Sequence, residues 1–257
     1  MKISVRSMNL GLPMYEGIKT AGKMGLDGIA LWYGEDFLWL PKVREDGGKS
    51  VLDACEKAGL EICTITAGLG SFADPKNRPI AIQKARDELE VCRMLDIPRI
   101  TGHVGVMPAD LSTPEAEAMI EALRIVGDDA ARLGKTLACE TGPEDAQTML
   151  DFIEAVDSEG LAINYDPANF IIYGFEWFEG VEIFGDLIDH THAKDAKRNA
   201  DGSAEETPIG EGDIDFAKWI DALRGVGFDG WLCIERESGD DRLGDIERAM
   251  RYLRKLI

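Results

Sequence analysis

Four polar residues end four successive apolar segments in the second half of the chain. TLACE ends in Glu140, LAINYD in Asp166, DHTH in His192 and WLCIE in Glu235. Three carboxylates that converge repel one another and raise each other's pKa unless a cation lies among them. Oxygen-rich ligands with one imidazole suit Mn²⁺, Mg²⁺ or Co²⁺, with Zn²⁺ as a further alternative. We therefore expect these four residues to bind one divalent ion, preferably Mn²⁺.

Glu140 and Glu235 are also the candidates for acid–base catalysis. A metal ion that binds a carbonyl and an adjacent hydroxyl acidifies the C–H bond between them by stabilising an enediolate. One carboxylate then removes the proton and the other returns one. Proton transfer on opposite faces gives epimerisation, transfer by one base gives aldose–ketose isomerisation, and loss of a β-hydroxyl gives dehydration. The sequence leaves these outcomes open.

Two of the three histidines share the short segment DHTHAKD, which begins at Asp189. In a strand, His190 and His192 point to the same face, because side chains alternate with period two. We expect His192, nearer the carboxyl end, to be the ligand, and His190 to be a hydrogen-bonded interior residue. His103, in ITGHVG, is expected to contact the substrate or to support a neighbouring ligand.

Helical patterns alternate with short β-prone segments along the whole chain. We interpret the glycine before five of these segments as a left-handed, helix-ending residue: Gly25, Gly59, Gly134, Gly160 and Gly227. The predicted strands are 2–8, 28–32, 61–66, 99–104, 136–140, 161–166, 188–193 and 230–235. Eight βα units, and no GxGxxG turn after the first strand, favour a single-domain TIM barrel over residues 1–257. The long polar stretch Arg198–Asp215 follows the seventh strand.

The composition restricts the partners that we expect. A net charge of −20 argues against nucleic acid and against an anionic membrane surface. Five separated cysteines without a CxxC pair imply neither a disulfide framework nor a thiolate zinc site, and no apolar run resembles a leader or a membrane span. We expect a cytoplasmic protein, either a monomer or a homo-oligomer. Three tryptophans are predicted near the βα loops: Trp32, Trp39 and Trp177. Aromatic rings at such positions either stack on a sugar or pack against other side chains.

The motifs ACET, NYDPANF, HTHAKD, PIGEGDIDF and CIERE, in this order, resemble those of the xylose isomerase-like TIM-barrel superfamily of sugar isomerases and epimerases. The resemblance covers the second half of the chain, and it implies that Glu140 and Glu235 are both ligands and acid–base groups, with Asp166 and His192 as ligands. In the ketose 3-epimerase branch an arginine six residues after the histidine holds substrate oxygens, and Arg198 has this spacing.

Position 169 departs from two branches of this superfamily. The ketose 3-epimerases and the DNA-repair enzyme endonuclease IV carry histidine where this chain has Asn169. Endonuclease IV also needs a further Asp-x-His pair for its three-zinc cluster, and this chain has none after the seventh strand. These departures imply a single-metal site. We expect Arg198, His103, Asn169 and Trp32 to contact the substrate.

The sequence thus predicts a metal-dependent isomerase or epimerase for a sugar or a sugar phosphate. A dehydratase of the inosose dehydratase type is one alternative, because the same enediolate can lose a β-hydroxyl. A barrel that binds metal or sugar without catalysis is the other alternative.

Overall fold

Eight parallel strands close into a barrel in the computed structural model, which describes residues 1–257. The barrel strands are β1 (Lys2–Arg6), β2 (Gly28–Trp32), β3 (Glu61–Thr66), β4 (Arg99–Gly102), β5 (Thr136–Glu140), β6 (Leu161–Tyr165), β7 (Ile188–Ala193) and β10 (Trp231–Ile234). Each strand pairs with its neighbours in the chain, and β10 closes the barrel against β1. The predicted TIM barrel is confirmed. The first strand is shorter than predicted, because a 3₁₀ turn begins at Ser7.

Helices cover the outside of the barrel. They are α1 (Met14–Met24), α2 (Leu40–Asp46), α3 (Lys49–Ala58), α4 (Arg78–Leu95), α5 (Pro114–Arg132), α6 (Ala146–Val156), α7 (Pro167–Tyr173), α8 (Gly180–Phe184), α9 (Phe216–Gly225) and α10 (Arg242–Leu253). Their apolar faces and the outward side chains of the strands form one core of 64 buried residues. None of the helices is both long enough and apolar enough to cross a membrane.

The glycine before β6 has a different role from the one predicted. Asp157, not Gly160, is the left-handed residue that ends α6, with φ of 52°. Gly160 instead lies so close to the backbone carbonyl of Gly127 that a Cβ atom would overlap with it. The prediction of a left-handed Gly160 was therefore wrong, and this glycine allows α5 and β6 to pack closely.

A two-stranded antiparallel sheet occupies the long connection after β7. It consists of β8 (Asp195–Arg198) and β9 (Ala204–Thr207), which the sequence pattern did not predict. The buried carboxylate of Asp195 accepts hydrogen bonds from the backbone of Gly210, Gly212 and Ile214 at 2.8–3.3 Å. These bonds fold the connection back over the carboxyl end of the barrel, where β-strand ends meet.

Candidate active site

The four predicted ligands converge at the carboxyl end of the barrel. One ligand atom from each of Glu140, Asp166, His192 and Glu235 lies within 4.8 Å of the others. His192 Nδ1 is 2.6 Å from Glu235 Oε2 and 3.1 Å from Glu140 Oε1. All four side chains are buried. The geometry thus groups four side chains that are far apart in the chain into one cluster.

Helix α7 explains the orientation of Asp166. This residue caps the helix: its Oδ1 accepts hydrogen bonds from the backbone N–H groups of Ala168 at 2.8 Å and Asn169 at 3.3 Å. Pro167 follows at the first helical position, where its missing N–H costs nothing. The second oxygen, Oδ2, is buried without a hydrogen-bond partner. A buried carboxylate oxygen without a partner, beside two more carboxylates and an imidazole, fits a hard divalent cation.

The charges in the cluster depend on each other. Burial, together with the neighbouring Glu235 and Glu140, raises the pKa of Asp166 to about 7. Burial opposes a charge on His192, but Glu235 and Glu140 raise its pKa to about 10. Burial likewise opposes ionisation of Glu140, yet His192 and His103 lower its pKa to about 2. Without an ion, a proton on His192 balances the carboxylates, and a bound divalent ion would replace this proton.

Two buried cations were missed by the sequence analysis. Arg6, at the end of β1, forms an ion pair with Glu235 and lies 3.6 Å from Glu237. Lys194 Nζ lies 3.5 Å from Glu235 Oε1 and 3.9 Å from Asp166 Oδ2. The available signals were the position of Lys194, two residues after His192, and an arginine at the end of the β-prone segment ISVR.

A cavity of about 380 Å³ opens over the cluster. Among its lining residues are the predicted substrate contacts Trp32 and His103, together with Glu140 and Glu235. His103 is half-exposed, with Nε2 3.5 Å from Glu140 Oε1. The cavity volume lies at the lower end of the roughly 300–1,000 Å³ that is usual for small-molecule sites.

The other two predicted contacts have different surroundings. Asn169 is buried, and its amide nitrogen is 2.9 Å from the carbonyl of Thr141 and 3.4 Å from Glu140 Oε1. It therefore orients Glu140 in this structure. Arg198 is exposed, and its guanidinium donates to the carbonyl of Ile171 at 2.9 Å. A role for Arg198 in substrate binding stays a prediction.

Of the remaining tryptophans, Trp39 packs on Tyr33 with ring centroids 5.2 Å apart, and Trp177 packs edge-on against Phe178. Their positions favour the packing alternative. His190 is fully buried inside the barrel, as expected, but neither ring nitrogen has a hydrogen-bond partner. The expectation that His190 is hydrogen-bonded was therefore wrong.

Two curated proteins are similar in sequence to part of this chain. The chain is 27% identical over 188 residues to an uncharacterized protein of Methanocaldococcus jannaschii, covering 68% of this chain and 63% of that protein. It is 24% identical over 162 residues to the inosose dehydratase of Geobacillus thermodenitrificans, covering 55% and 54% respectively. The chain thus aligns with little more than half the length of these curated relatives.

Solved structures with the same fold cover nearly the whole chain. A xylose isomerase domain protein from Planctomyces limnophilus superimposes with a TM-score of 0.82 and 24% identity, covering 93% of this chain and 91% of that one. An L-ribulose 3-epimerase superimposes with a TM-score of 0.78 and 18% identity, covering 99% and 93%. The family model described as "Xylose isomerase-like TIM barrel" matches residues 18–256, and the chain therefore belongs to this family.

Proposed function

We propose that the protein is a metal-dependent isomerase or epimerase that removes a proton next to the carbonyl of a sugar or a sugar phosphate. One observation carries the proposal: Glu140 and Glu235 both lie against His192 Nδ1, at 3.1 and 2.6 Å, beneath a cavity that is open to small molecules. A pair of carboxylates in one buried site provides one group to take a proton and another to return it.

Glu140, Asp166, His192 and Glu235 would hold one divalent ion, preferably Mn²⁺, with Mg²⁺, Co²⁺ or Zn²⁺ as alternatives. The unpartnered Oδ2 of Asp166 supports this assignment. When bound, such an ion supplies Lewis-acid stabilisation of negative charge on the carbonyl and hydroxyl oxygens of the substrate.

The surrounding side chains keep Glu235 ionised, the state that a general base needs before it takes a proton. Burial opposes its ionisation, but Arg6, His192 and Lys194 hold the pKa of Glu235 well below its usual value. Asn169 restrains Glu140 through its amide nitrogen, 3.4 Å from Oε1. Contacts of this kind hold the two carboxylates in position, and general base catalysis depends on such positioning.

We assign substrate recognition to residues that line the cavity. His103 offers a ring nitrogen close to Glu140, and Trp32 offers an aromatic surface beside Arg6, whose guanidinium lies 5.7 Å from the ring centroid. Arg198 reaches a substrate only if its guanidinium exchanges the carbonyl of Ile171 for substrate oxygens.

A dehydratase is the second candidate, and two observations favour it. The inosose dehydratase of Geobacillus thermodenitrificans is among the curated relatives. Lys194 also places an ammonium group 3.5 Å from Glu235, and this group would be the candidate acid for a departing hydroxyl. In this alternative, proton removal beside the carbonyl is the same and only the fate of the β-hydroxyl differs.

Deuterium incorporation tests the proposal directly. The Mn²⁺-supplemented protein is incubated in deuterium oxide with a panel of ketoses, ketose phosphates and inososes, and the products are analysed by NMR. We expect deuterium at the carbon next to the carbonyl of at least one compound. Labelled epimers indicate transfer between two carboxylates, labelled aldoses indicate isomerisation, and a dehydrated ketone indicates the dehydratase.

The control is the Glu140→Gln/Glu235→Gln double variant, which keeps the side-chain volumes and lacks both bases. Absence of exchange with every compound for the metal-supplemented protein contradicts the proposal and favours a barrel that binds metal or sugar without catalysis.

A further inference from the structure

A second group of metal-ligating side chains lies inside the barrel, separate from the carboxylate cluster. Cys63 on β3, His190 on β7 and Cys233 on β10 place the two sulfur atoms and a ring nitrogen within 4.8 Å of one another. All three side chains are buried, with at most 1% exposure. Strands β3 and β10 are separated by β1 and β2, so the two cysteines meet only across the barrel interior.

His190 has no hydrogen-bond partner in this interior. A neutral imidazole always carries one N–H donor and one acceptor nitrogen, and both nitrogens of His190 are buried without a partner. Leaving a buried polar group without a partner costs about 1–3 kcal/mol. A ligand bound to one of these nitrogens removes part of this cost.

The two cysteines also differ from the other three. Cys55, Cys92 and Cys139 belong to the large apolar core, whereas Cys63 and Cys233 form a small interior cluster with Ala30. The hydroxyl of Ser4 accepts a hydrogen bond from the Cys63 thiol at 3.4 Å. Cys63 and Cys233 therefore lie beside a hydroxyl and a small side chain, apart from the large apolar core that contains the other three thiols.

We propose that Cys63, Cys233 and His190 bind a zinc ion within the barrel, in addition to the ion held by the carboxylate cluster. Two thiolates and one imidazole are a donor set that Zn²⁺ prefers, with Zn–S distances of about 2.3 Å and Zn–N distances of about 2.0 Å. Binding releases one proton from each thiol. Two thiolates then neutralise the ion, so the buried site carries no net charge.

The positions of neighbouring groups agree with this site. The positive charge of Arg99, whose guanidinium donates to the Cys63 carbonyl, is paired with the carboxylate of Asp189 at 2.7 and 2.8 Å. The hydroxyl of Ser4 lies 3.4 Å from the Cys63 sulfur and is thus a polar group beside the proposed site. The ion links three strands of the barrel, of which β3 is not adjacent to the other two, and thereby stabilises the closed form.

The two sites are expected to select different ions. His190 and His192 are two residues apart on β7, and their ring centroids are 5.8 Å apart. The carboxylate cluster offers three carboxylates and one imidazole, which suit harder ions. The site of Cys63, His190 and Cys233 offers two thiolates, which suit softer ions. The zinc site is independent of the proposed catalytic function.

Cobalt is the probe that distinguishes the two sites, because Co²⁺ bound to thiolates gives a strong charge-transfer band in the near ultraviolet and Co²⁺ bound to carboxylates does not. The full-length protein is produced in cobalt-supplemented medium, so that the ion enters during folding. We expect this band in the wild type and in the Glu140→Gln/Asp166→Asn variant, which lacks two ligands of the carboxylate cluster. We expect its loss in Cys63→Ser and Cys233→Ser, with one ion fewer per chain.

Cys92→Ser is the matched control, because it introduces the same buried hydroxyl into the large core and leaves the site intact. It is expected to keep the band. X-ray absorption at the cobalt edge of the wild type needs no variant and remains decisive if the cysteine variants do not fold. Only oxygen and nitrogen neighbours around cobalt in the wild type, or a band that persists in both Cys63→Ser and Cys233→Ser, overturns the proposal.

Discussion

The ammonium nitrogen of Lys194 lies 3.5 Å from Oε1 of Glu235, inside a site where both side chains are almost fully buried. The same nitrogen is 3.0 Å from Glu237 Oε2 and 3.9 Å from Asp166 Oδ2. A buried lysine between these carboxylates supplies positive charge next to Glu235. This relationship sets the charge balance of the proposed proton acceptor.

Replacement of Lys194 by methionine separates the two candidate reactions. In an isomerase or epimerase, deuterium exchange and product formation fall together by roughly one to two orders of magnitude, since Glu235 loses a supporting charge. In a dehydratase that uses Lys194 as the acid, exchange continues while elimination stops. Rates of both processes in the same NMR experiment distinguish these cases, and Lys194→Arg is the charge-preserving control. Unchanged rates in Lys194→Met exclude both roles for this residue.

Glu140→Gln and Glu235→Gln are each expected to lower turnover by roughly two or more orders of magnitude, the usual effect of losing a general base. Glu154→Gln, on the exposed surface of α6, makes the same chemical change away from the site and is expected to leave turnover unchanged. Steady-state kinetics with the substrate found in the panel provides the measurement. Full activity in either variant would remove that carboxylate from the mechanism.

His192→Gln and His190→Gln form a matched pair of histidine replacements on one strand. His192→Gln is expected to weaken Mn²⁺ binding, because it removes a ligand from the carboxylate cluster. His190→Gln is expected to retain Mn²⁺ at this cluster and to unfold at lower denaturant concentration. Electron paramagnetic resonance of free Mn²⁺ during titration measures the affinity. The reverse pattern would exchange the roles assigned to the two histidines.

Glu144 predicts a pH dependence of stability. Burial raises the pKa of Glu144 from 4.5 to about 7, so the folded state holds this proton more tightly than the unfolded state. The contribution of protonated Glu144 to the free energy of unfolding is therefore lost as the pH rises from about 4.5 to about 7. This loss is roughly 3 kcal/mol at most. Urea unfolding of wild type and Glu144→Gln at pH 5 and pH 8 measures this loss of stability. Glu16→Gln, on the surface of α1, is the control. An equal loss in wild type and Glu144→Gln contradicts the prediction.

Gly212→Ala tests the connection that the Asp195 carboxylate holds after β7. A Cβ atom at this position would collide with the carboxylate of Asp195, which holds the loop through its backbone hydrogen bonds. We expect destabilisation of about 1–3 kcal/mol, as for overpacked sites, and faster proteolysis between β9 and α9. Gly225→Ala is the control, since its Cβ would meet no atom within 4 Å. Equal stability of the two variants would show that the loop tolerates the extra methyl group.

Much of the architecture follows from local sequence. Helix-ending glycines such as Gly25 and Gly59 and the alternation of helical and β-prone segments predict the βα repeat, because backbone conformation at these residues is decided by nearest neighbours. The cluster of four candidate ligands also follows from the sequence, because parallel strands of a barrel end at one face. A polar residue at each of four successive strand ends therefore implies a shared site.

Contacts across the barrel depend on the tertiary structure. Arg6 and Glu235 are 229 positions apart, and only closure of β10 against β1 makes them a pair. The meeting of Cys63 and Cys233 likewise requires the barrel curvature to turn two non-adjacent strands toward one interior point. Sequence periodicity reports which face of a strand a residue occupies, whereas strand tilt and barrel closure decide which residues on that face come into contact.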